Sequence, residues 1–479
     1  MTGAPPVRAV RPPPHSTMAE TALLAAIMLE QSTLPLVASV VRPEHFYTPA
    51  HQQLYTAALE LSANGQPYDA NSIGLWLQAR GALARVGGVP YIGRVIDEAH
   101  PLTTDAQVMH CAQAITSRWR LRAIATRATR LAEEAMTAEA DPDAFFERAA
   151  AELLSLTTSA ATQSTHAVLK DVLRSAFEGI EERARLGGAR PGVSWGMRKL
   201  DELTGGMRKG CLYVAGGRPG MGKTALISTA SVAVCEDPAP NDDAWPAVLV
   251  FSAEMPNEEL GIRYLSSLCG ISSARILSGA FAGEDRERAM SSTSWLGSQP
   301  IFLDDRAAPT LDQVRLGIQR TNAILSTWTT PDKRPIRVRM VAVDYLQLMR
   351  GPRDKNGTRE QEINALAMGL KNIAKSEKVS VLALSQLNRS LETRSDKRPT
   401  MADLRESGGI EQAADAILLL YRDGYYNPDG PAASFAEINI AKNRGGKTGL
   451  VVTKWHGETT SYSDLSPEDE AEALSIIKG

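Results

Sequence analysis

The eight residues Gly217-Arg218-Pro219-Gly220-Met221-Gly222-Lys223-Thr224 fit G-x-x-x-x-G-K-[ST], a pattern built to hold phosphate. Its glycines let backbone N–H groups turn inward onto α- and β-phosphates at a helix N-terminus. In that pattern Lys223 reaches the β/γ-phosphates and the Thr224 hydroxyl ligates Mg²⁺. The flanks supply the context the pattern needs. Leu212-Tyr213-Val214-Ala215 reads as a buried strand, and Ala225-Leu226-Ile227-Ser228-Thr229-Ala230 as the first turns of a helix. A chance glycine-rich turn would have neither neighbour. The implied chemistry is binding and hydrolysis of a nucleoside triphosphate.

Further polar groups fall at the ends of apolar β-type runs. Val248–Ala253 delivers Glu254, an acid placed to polarise an attacking water. Val341-Ala342-Val343 delivers Asp344, which would hold Mg²⁺ through its water shell. Val381–Ser385 delivers Gln386, a group able to sense the γ-phosphate. Any one such residue is more often a cap or a solvated side chain; three in succession after a phosphate loop form a set. Hydrolysis also needs positive charge on the developing γ-phosphoryl oxygens, often an arginine finger from another subunit. Ile440–Gly446 ends a strand in Lys442 and Arg444 before a glycine turn, so these are the candidates, with a solvated basic hairpin as the alternative. Between Gln386 and Gly409 lie Arg389, Arg394, Lys397, Arg398 and Arg405, a loop suited to tracking the phosphates of a single strand without reading bases. A second polar loop, Arg350–Arg359, is weaker on its own.

Such groups need a scaffold. From about Gly192 onward, apolar runs at Leu212–Ala215, Val248–Ser252, Ile301–Asp304, Val338–Asp344, Val379–Ser385, Ala416–Tyr421 and Glu437–Lys442 alternate with helical patterns. The alternation predicts an α/β domain with an open, largely parallel sheet and helices on both faces. Its active groups would collect at the carboxyl ends of the strands. Glu236–Pro246 and Trp328–Pro335 read as loops. Residues 17–152 read as all-helical, with Leu23, Leu24, Ile27 and Met28 at helical spacing and a long pattern over Asp105–Thr137 that suits a long helix or a helical hairpin. Residues 1–16 form a Pro-rich flexible arm, and 153–190 a linker. Within that linker Leu169, Val172, Leu173, Ala176, Phe177 and Ile180 share one face of an amphipathic helix, which needs a partner in its own domain or on a neighbouring subunit. The α/β domain then spans 191–479.

At 479 residues the chain is too long for one ordinary core. No apolar run reaches membrane-span length, and a signal-peptide pattern is missing. Four dispersed cysteines without a C-x-x-C pair fit a reducing cytoplasm better than a zinc site or a disulfide framework. A net charge of −3 decides nothing about nucleic acid, because a ring can concentrate cations in its channel.

Together these motifs resemble the DnaB-type replicative DNA helicases, which are hexameric RecA-like motors. The resemblance runs through Gly217–Thr224, Phe251–Met255, Val343–Met349, Ser385–Arg389, Asp403–Gln412, Tyr421–Pro428 and Ala441–Arg444. Pro14–Ser16, Phe46–His51 and Gly87–Tyr91 resemble the family's N-terminal collar domain. It implies a homohexamer on single-stranded DNA, moving 5′→3′ with ATP and Mg²⁺, and served by a primase and a helicase loader. Lys223 and Thr224 would sit on nucleotide and metal, Glu254 would be the base, Asp344 would sit at the metal and Gln386 would be the sensor. Lys442 and Arg444 would act on the neighbour's nucleotide. Arg405, Glu406 and Gly408 would grip the DNA backbone; Arg389, Arg394 and Arg398 are candidates beside them from the charge of the same loop. The helix around Leu169–Ile180 would dock on the adjacent motor domain. Two departures stand out. Gly217 and Gly220 replace the usual Ala and Ser, and Gly445-Gly446-Lys447 replaces an Asn-Gly-Pro turn.

Two other readings share the phosphate loop. A RecA-like recombinase or regulatory ATPase fits poorly with the helical N-terminal half and the Asp403–Gln412 loop. A nucleotide-binding scaffold or loading ring would be free to lose Glu254, Asp344 or Arg444, and all are present.

Overall fold

The computed structural model describes residues 12–38, 40–137, 145, 148, 149, 152, 169–185, 190–236, 243–328, 330, 333–351 and 358–478, with backbone alone at 137, 171, 172, 175, 182, 183, 405–407 and 478. The start of the Pro-rich arm, the Ser/Thr-rich 153–166 and most of the Arg350–Arg359 loop lie outside the described residues. The chain divides into two compact units at Val172–Leu173.

The first unit is helical: α1 (Thr17–Leu29), α2 (Thr33–Val37), α3 (Pro49–Ala63), α4 (Ala70–Ala79), α5 (Leu83–Val86), α6 (Val89–Asp97) and α7 (Asp105–Thr137). Leu23, Leu24 and Ile27 pack against Leu54, Tyr55 and Ala58, with Ile73, Leu77, Ile92, Val108, Ala112 and Ile115 closing the core. Asp69 accepts from the Asn71 and Ser72 amides, both at 2.9 Å, and so starts α4. The Phe46–His51 stretch is fixed by a buried acid. Glu20 accepts from the Tyr47 amide (2.7 Å) and meets His51 Nδ1 at 2.7 Å. Burial pushes the Glu20 carboxyl up, but His51 and the Tyr47 and Thr48 amides outweigh it and hold the pKa below the usual range. The pattern over Asp105–Thr137 forms one continuous helix of 33 residues. Helix α8 (Leu169–Arg185) follows, carrying Leu169, Leu173, Phe177 and Ile180 exposed.

The second unit is a nine-stranded sheet in the order β3-β2-β4-β5-β1-β6-β7-β8-β9. The strands are β1 (Leu212–Gly217), β2 (Trp245–Ser252), β3 (Ile301–Asp304), β4 (Ile336–Asp344), β5 (Ser380–Gln386), β6 (Ala416–Tyr421), β7 (Phe435–Asn443), β8 (Gly449–His456) and β9 (Ser461–Ser463). From β3 to β6 every pairing is parallel, and β7 to β9 continue the sheet antiparallel. The seven apolar runs all become strands. β8 and β9 were not among them, because β8 is only half-buried and β9 is too short to show a period. The expected Glu236–Pro246 loop also ends early. Trp245 and Pro246 open β2, where a register shift between Ala247 and Val248 accommodates the proline.

Helices cover both faces: α9 (Arg198–Thr204), α10 (Lys223–Glu236), α11 (Asn257–Cys269), α12 (Ser273–Ser278), α13 (Glu284–Ser298), α14 (Leu311–Leu325), α15 (Arg359–Glu377), α16 (Gly408–Ala413) and α17 (Pro467–Lys478). Alternate side chains of β1 feed two cores. Tyr213 and Ala215 join Leu226, Leu260 and Tyr264 of α10 and α11. Leu212 and Val214 join Val314, Ile318, Leu366 and Leu370 of α14 and α15. A strand buried on both faces explains why Leu212–Ala215 reads as a continuous apolar run.

Candidate functional site

Beyond the carboxyl ends of β1, β2, β4 and β5 lies a cleft of about 340 Å³, lined by Pro219, Gly220, Gly222, Lys223, Thr224, Glu254, Arg263, Tyr345, Gln386, Arg422, Trp455 and Thr460 among others. The loop after β1 needs glycine at two places. Gly222 has φ +88°, and a Cβ there would collide with the Tyr462 hydroxyl. That hydroxyl donates to the Met221 and Gly222 carbonyls at 3.1 and 3.2 Å. Gly220, the position where a serine is usual, has φ +80°, with the Tyr425 ring 2.6 Å from a would-be Cβ.

Lys223 bridges the loop, its ammonium donating to the Gly217 carbonyl (2.9 Å) and the Arg218 carbonyl (3.1 Å). Burial pulls its pKa down, opposed by the carboxylates of Asp344 and Glu254. One step along, the Thr224 hydroxyl donates to Asp344 Oδ2 at 2.8 Å. Burial pushes the Asp344 carboxyl above its usual range; the Thr224 bond works against this, and nearby Glu254 adds to it. The other Asp344 oxygen, Oδ1, is buried without a hydrogen-bond partner. A hydroxyl beside a buried carboxylate with one unsatisfied oxygen fits a hard divalent cation such as Mg²⁺. Gln347 clamps the end of β5: it donates to Ser385 Oγ (3.0 Å) and the Gln386 carbonyl (3.2 Å), and accepts from the Gln386 amide at 3.2 Å.

Lys223, Thr224, Glu254 and Gln386 therefore share the cleft with Pro219, Gly220 and Gly222, and Asp344 backs it. Gly217, Arg218 and Met221 do not line it: Met221 lies in the core, and Arg218 turns to Glu392 and the Leu387 carbonyl. Lys442 and Arg444 are elsewhere. Lys442 pairs with Ile417 near the start of β6, and its ammonium donates to the Glu411 and Ala414 carbonyls. Arg444 donates to the Gln412 carbonyl at 2.7 Å and lies 3.9 Å from Asp415. The phosphate loop stands beyond the other end of that sheet, since Gly216 pairs with Leu419 of β6.

In the basic loop, Arg389 is exposed and opens a 3₁₀ turn over Arg389–Thr393. Arg394 is ion-paired with Asp403. Arg398 is held bidentately by Glu437, with both bonds at 2.8 Å, beneath the Tyr421 ring. Arg405 and Glu406 belong to a second 3₁₀ segment, Met401–Ser407, and Gly408 begins α16 exposed.

The cleft also holds residues that sequence reasoning left unassigned. Arg263 enters it from α11. Arg422 stacks on Trp455 at 3.9 Å and donates to the Gly220 carbonyl at 2.6 Å. This cation-on-indole platform at the mouth of a phosphate site suits a nucleobase. Arg422 lay inside the Tyr421–Pro428 motif; Trp455 had no signal, because it sits on β8.

The DnaB-like helicase C terminal domain family matches residues 192–464, and the DnaB-like helicase N terminal domain family matches residues 12–117. The replicative DNA helicase DnaB of Geobacillus stearothermophilus is 32% identical over 96% of this chain and 97% of its own length. The chain belongs to the DnaB family of replicative DNA helicases. DnaB of Haemophilus influenzae is 34% identical over 96% of this chain and 95% of its own. A solved DnaB-like replicative helicase, described with its interactions with primase, superposes with TM-score 0.66 at 27% identity, covering 94% of this chain and all of the other. A separately solved ATPase domain superposes with TM-score 0.56 at 30% identity, covering 63% of this chain and 100% of that domain. This DnaB-type chain is thus an ATP-driven DNA helicase, with a RecA-like motor and a separate helical domain. Among the described residues no helix is long and apolar enough to cross a membrane, and no group of three or more His, Cys, Asp or Glu could hold a metal ion.

Proposed function

We propose that the chain assembles as a homohexameric ring around single-stranded DNA, moves 5′→3′ on ATP and Mg²⁺, and unwinds duplex at the replication fork. One observation supports the ring most. Lys442 and Arg444 sit about 20 Å of strand away from the phosphate loop of their own subunit, the length of β6. A cleft that holds Lys223 but neither of these cations can receive them only from a neighbouring subunit.

In each site Lys223 and the loop amides hold the phosphates, and Thr224 and Asp344 hold Mg²⁺, which when bound spreads the phosphates' negative charge. Glu254 takes the proton of the attacking water, and Gln386 reports the γ-phosphate to the loop that follows it. Arg422 and Trp455 seat the base. Arg389, Arg405, Glu406 and Gly408 face the DNA backbone, with Arg394 and Arg398 bracing the same loop through Asp403 and Glu437. The bare apolar face of α8 docks on the neighbouring motor. Because a related helicase is described with primase, a primase is a natural partner of this ring. A helicase loader and a cytoplasmic setting complete the reading, the latter in keeping with the four dispersed cysteines.

The deciding experiment is forked-duplex unwinding with each tail polarity, run with ATP·Mg²⁺ and with a non-hydrolysable analogue. The expected result is unwinding only with ATP and only when the 5′ tail is single-stranded. Equal unwinding of both polarities, or none, overturns the proposal.

A further inference from the structure

We propose that the ion pair between Arg218 of the phosphate loop and Glu392 of the basic loop is the positioning element that couples nucleotide occupancy to DNA grip. This rests on the reading of Arg389–Gly408 as the DNA-facing loop.

Arg218 has the wrong address for a phosphate ligand. Its side chain leaves the cleft and is only 7% exposed. There the guanidinium gives Nε and Nη2 to Glu392 Oε1, at 2.9 and 2.7 Å, and Nη1 to the Leu387 carbonyl at 2.8 Å. One side chain of the phosphate loop thus holds the residue after Gln386 and the 3₁₀ turn that begins with Arg389. Rigid planar donors satisfied this way fix orientation as well as distance.

The connection continues. Arg394, directly after that turn, pairs with Asp403. Asp403 also accepts from the Thr400 amide (2.7 Å) and hydroxyl (3.0 Å), and its carbonyl accepts from the Asn388 amide at 3.3 Å. Asp403 lies in the 3₁₀ segment that contains Arg405. The charges therefore alternate Arg218, Glu392, Arg394, Asp403 from the phosphate loop to the candidate DNA grip.

The nucleotide acts at the head of this series. The Lys223 ammonium is bonded to the Arg218 carbonyl at 3.1 Å. When phosphates claim that ammonium, the Arg218 peptide loses its cation, and a shift of that peptide reaches Glu392 through the three guanidinium bonds. A merely structural arginine could be satisfied by carbonyls alone; this one takes a carboxylate that is 46% exposed, on the loop that must respond. Coupling needs such an element, biased by both sites.

The test uses the full chain, assembled, with Glu392→Gln and Glu392→Ala. Basal ATPase should stay within about twofold of wild type, while stimulation by oligo-dT falls at least about fivefold, the lower bound of ordinary coupling. Oligo-dT affinity, measured with and without a non-hydrolysable ATP analogue and Mg²⁺, should lose its dependence on the analogue. Arg218→Gln, which lies in the phosphate loop and is read only as the ratio of DNA-stimulated to basal ATPase, should lose that ratio as Glu392→Gln does, and the double variant should lose no more of it than either single one. Wild-type stimulation in Glu392→Gln overturns the link, as do losses that multiply in the double variant. So does a fall in basal ATPase parallel to the fall in stimulation, which marks a structural role. A wild-type enzyme whose ATPase ignores DNA overturns the DNA-loop reading itself, and is told apart by that control.

Discussion

Glu254 and Lys223 face one cleft but carry different burdens, and substitutions should separate them. Lys223 is the cation of the phosphate loop, so Lys223→Ala should abolish both hydrolysis and unwinding; turnover like wild type would refute the site. Glu254 touches no phosphate in the proposed role and acts only on the water. Glu254→Gln should therefore bind a fluorescent ATP analogue with near-normal affinity while kcat falls about 10²–10⁴-fold, the usual weight of a general base. Lost binding instead would make Glu254 a structural residue. These residues were legible because each sits at a strand end or in a loop with fixed backbone demands. Arg422 and Trp455 were harder to see. A stacked arginine and indole meet only after β6 and β8 join one sheet, and neither type is diagnostic alone. The direction of the Arg218 side chain could not be read either, since the motif constrains its backbone and leaves the guanidinium free.

At the level of elements, the parallel strands were visible because burial on both faces writes an unbroken apolar run, as β1 and β6 show. The antiparallel edge was hidden, because β8 is only half-buried and shows neither an unbroken apolar run nor a clean alternation, and β9 has three residues. Helix α8 is the reverse case. Its apolar face was plain in the sequence, and the fold leaves Leu173, Phe177 and Ile180 at 58%, 60% and 52% exposure. Apolar groups at this spacing present a stripe whose burial is worth roughly 25 cal/mol per Å². If a neighbouring motor covers it, Phe177→Glu should shift light-scattering mass from hexamer toward smaller species and reduce ATPase in proportion, because each site then lacks its finger. An unchanged mass at micromolar protein would show that the stripe has no part in assembly. The basic loop gives a second prediction at this scale. Arg394 and Arg398 already hold carboxylates, so DNA binding should draw less on these two than on the rest of the loop. Affinity for single strands should fall with salt at a log–log slope of about −0.7 per phosphate neutralised. Arg405→Ala should flatten that slope equally for oligo-dT and mixed sequences, since backbone contacts carry no base code. An unaltered slope would leave Arg405 as a solvated edge.

The whole molecule poses a question of assembly: which γ-phosphate the Lys442–Arg444 pair serves. The motor places its phosphate loop beyond the carboxyl end of β1 and its Lys442–Arg444 pair at the amino end of β6, so the sheet itself separates them. In a head-to-tail ring that separation becomes complementarity, for the two ends of neighbouring motors face one shared site. A subunit with Arg444→Ala keeps a sound phosphate loop but offers its neighbour no finger. A subunit with Lys223→Ala offers a finger but has lost its own loop. Each homogeneous ring should be inactive. In a one-to-one mixture with free exchange, about one interface in four joins a sound loop to a sound finger, so independent sites should recover up to about a quarter of wild-type ATPase. The recovery should rise as exchange proceeds and should vanish when either variant is cross-linked into closed rings before mixing. If Arg444 served its own subunit's nucleotide, no arrangement of these subunits would contain a complete site. Activity would then stay at the sum of the separate proteins however long they were mixed. Measuring the time course with exchange followed independently by fluorescence transfer distinguishes the two, because only a finger acting across the interface ties recovered turnover to the fraction of mixed interfaces.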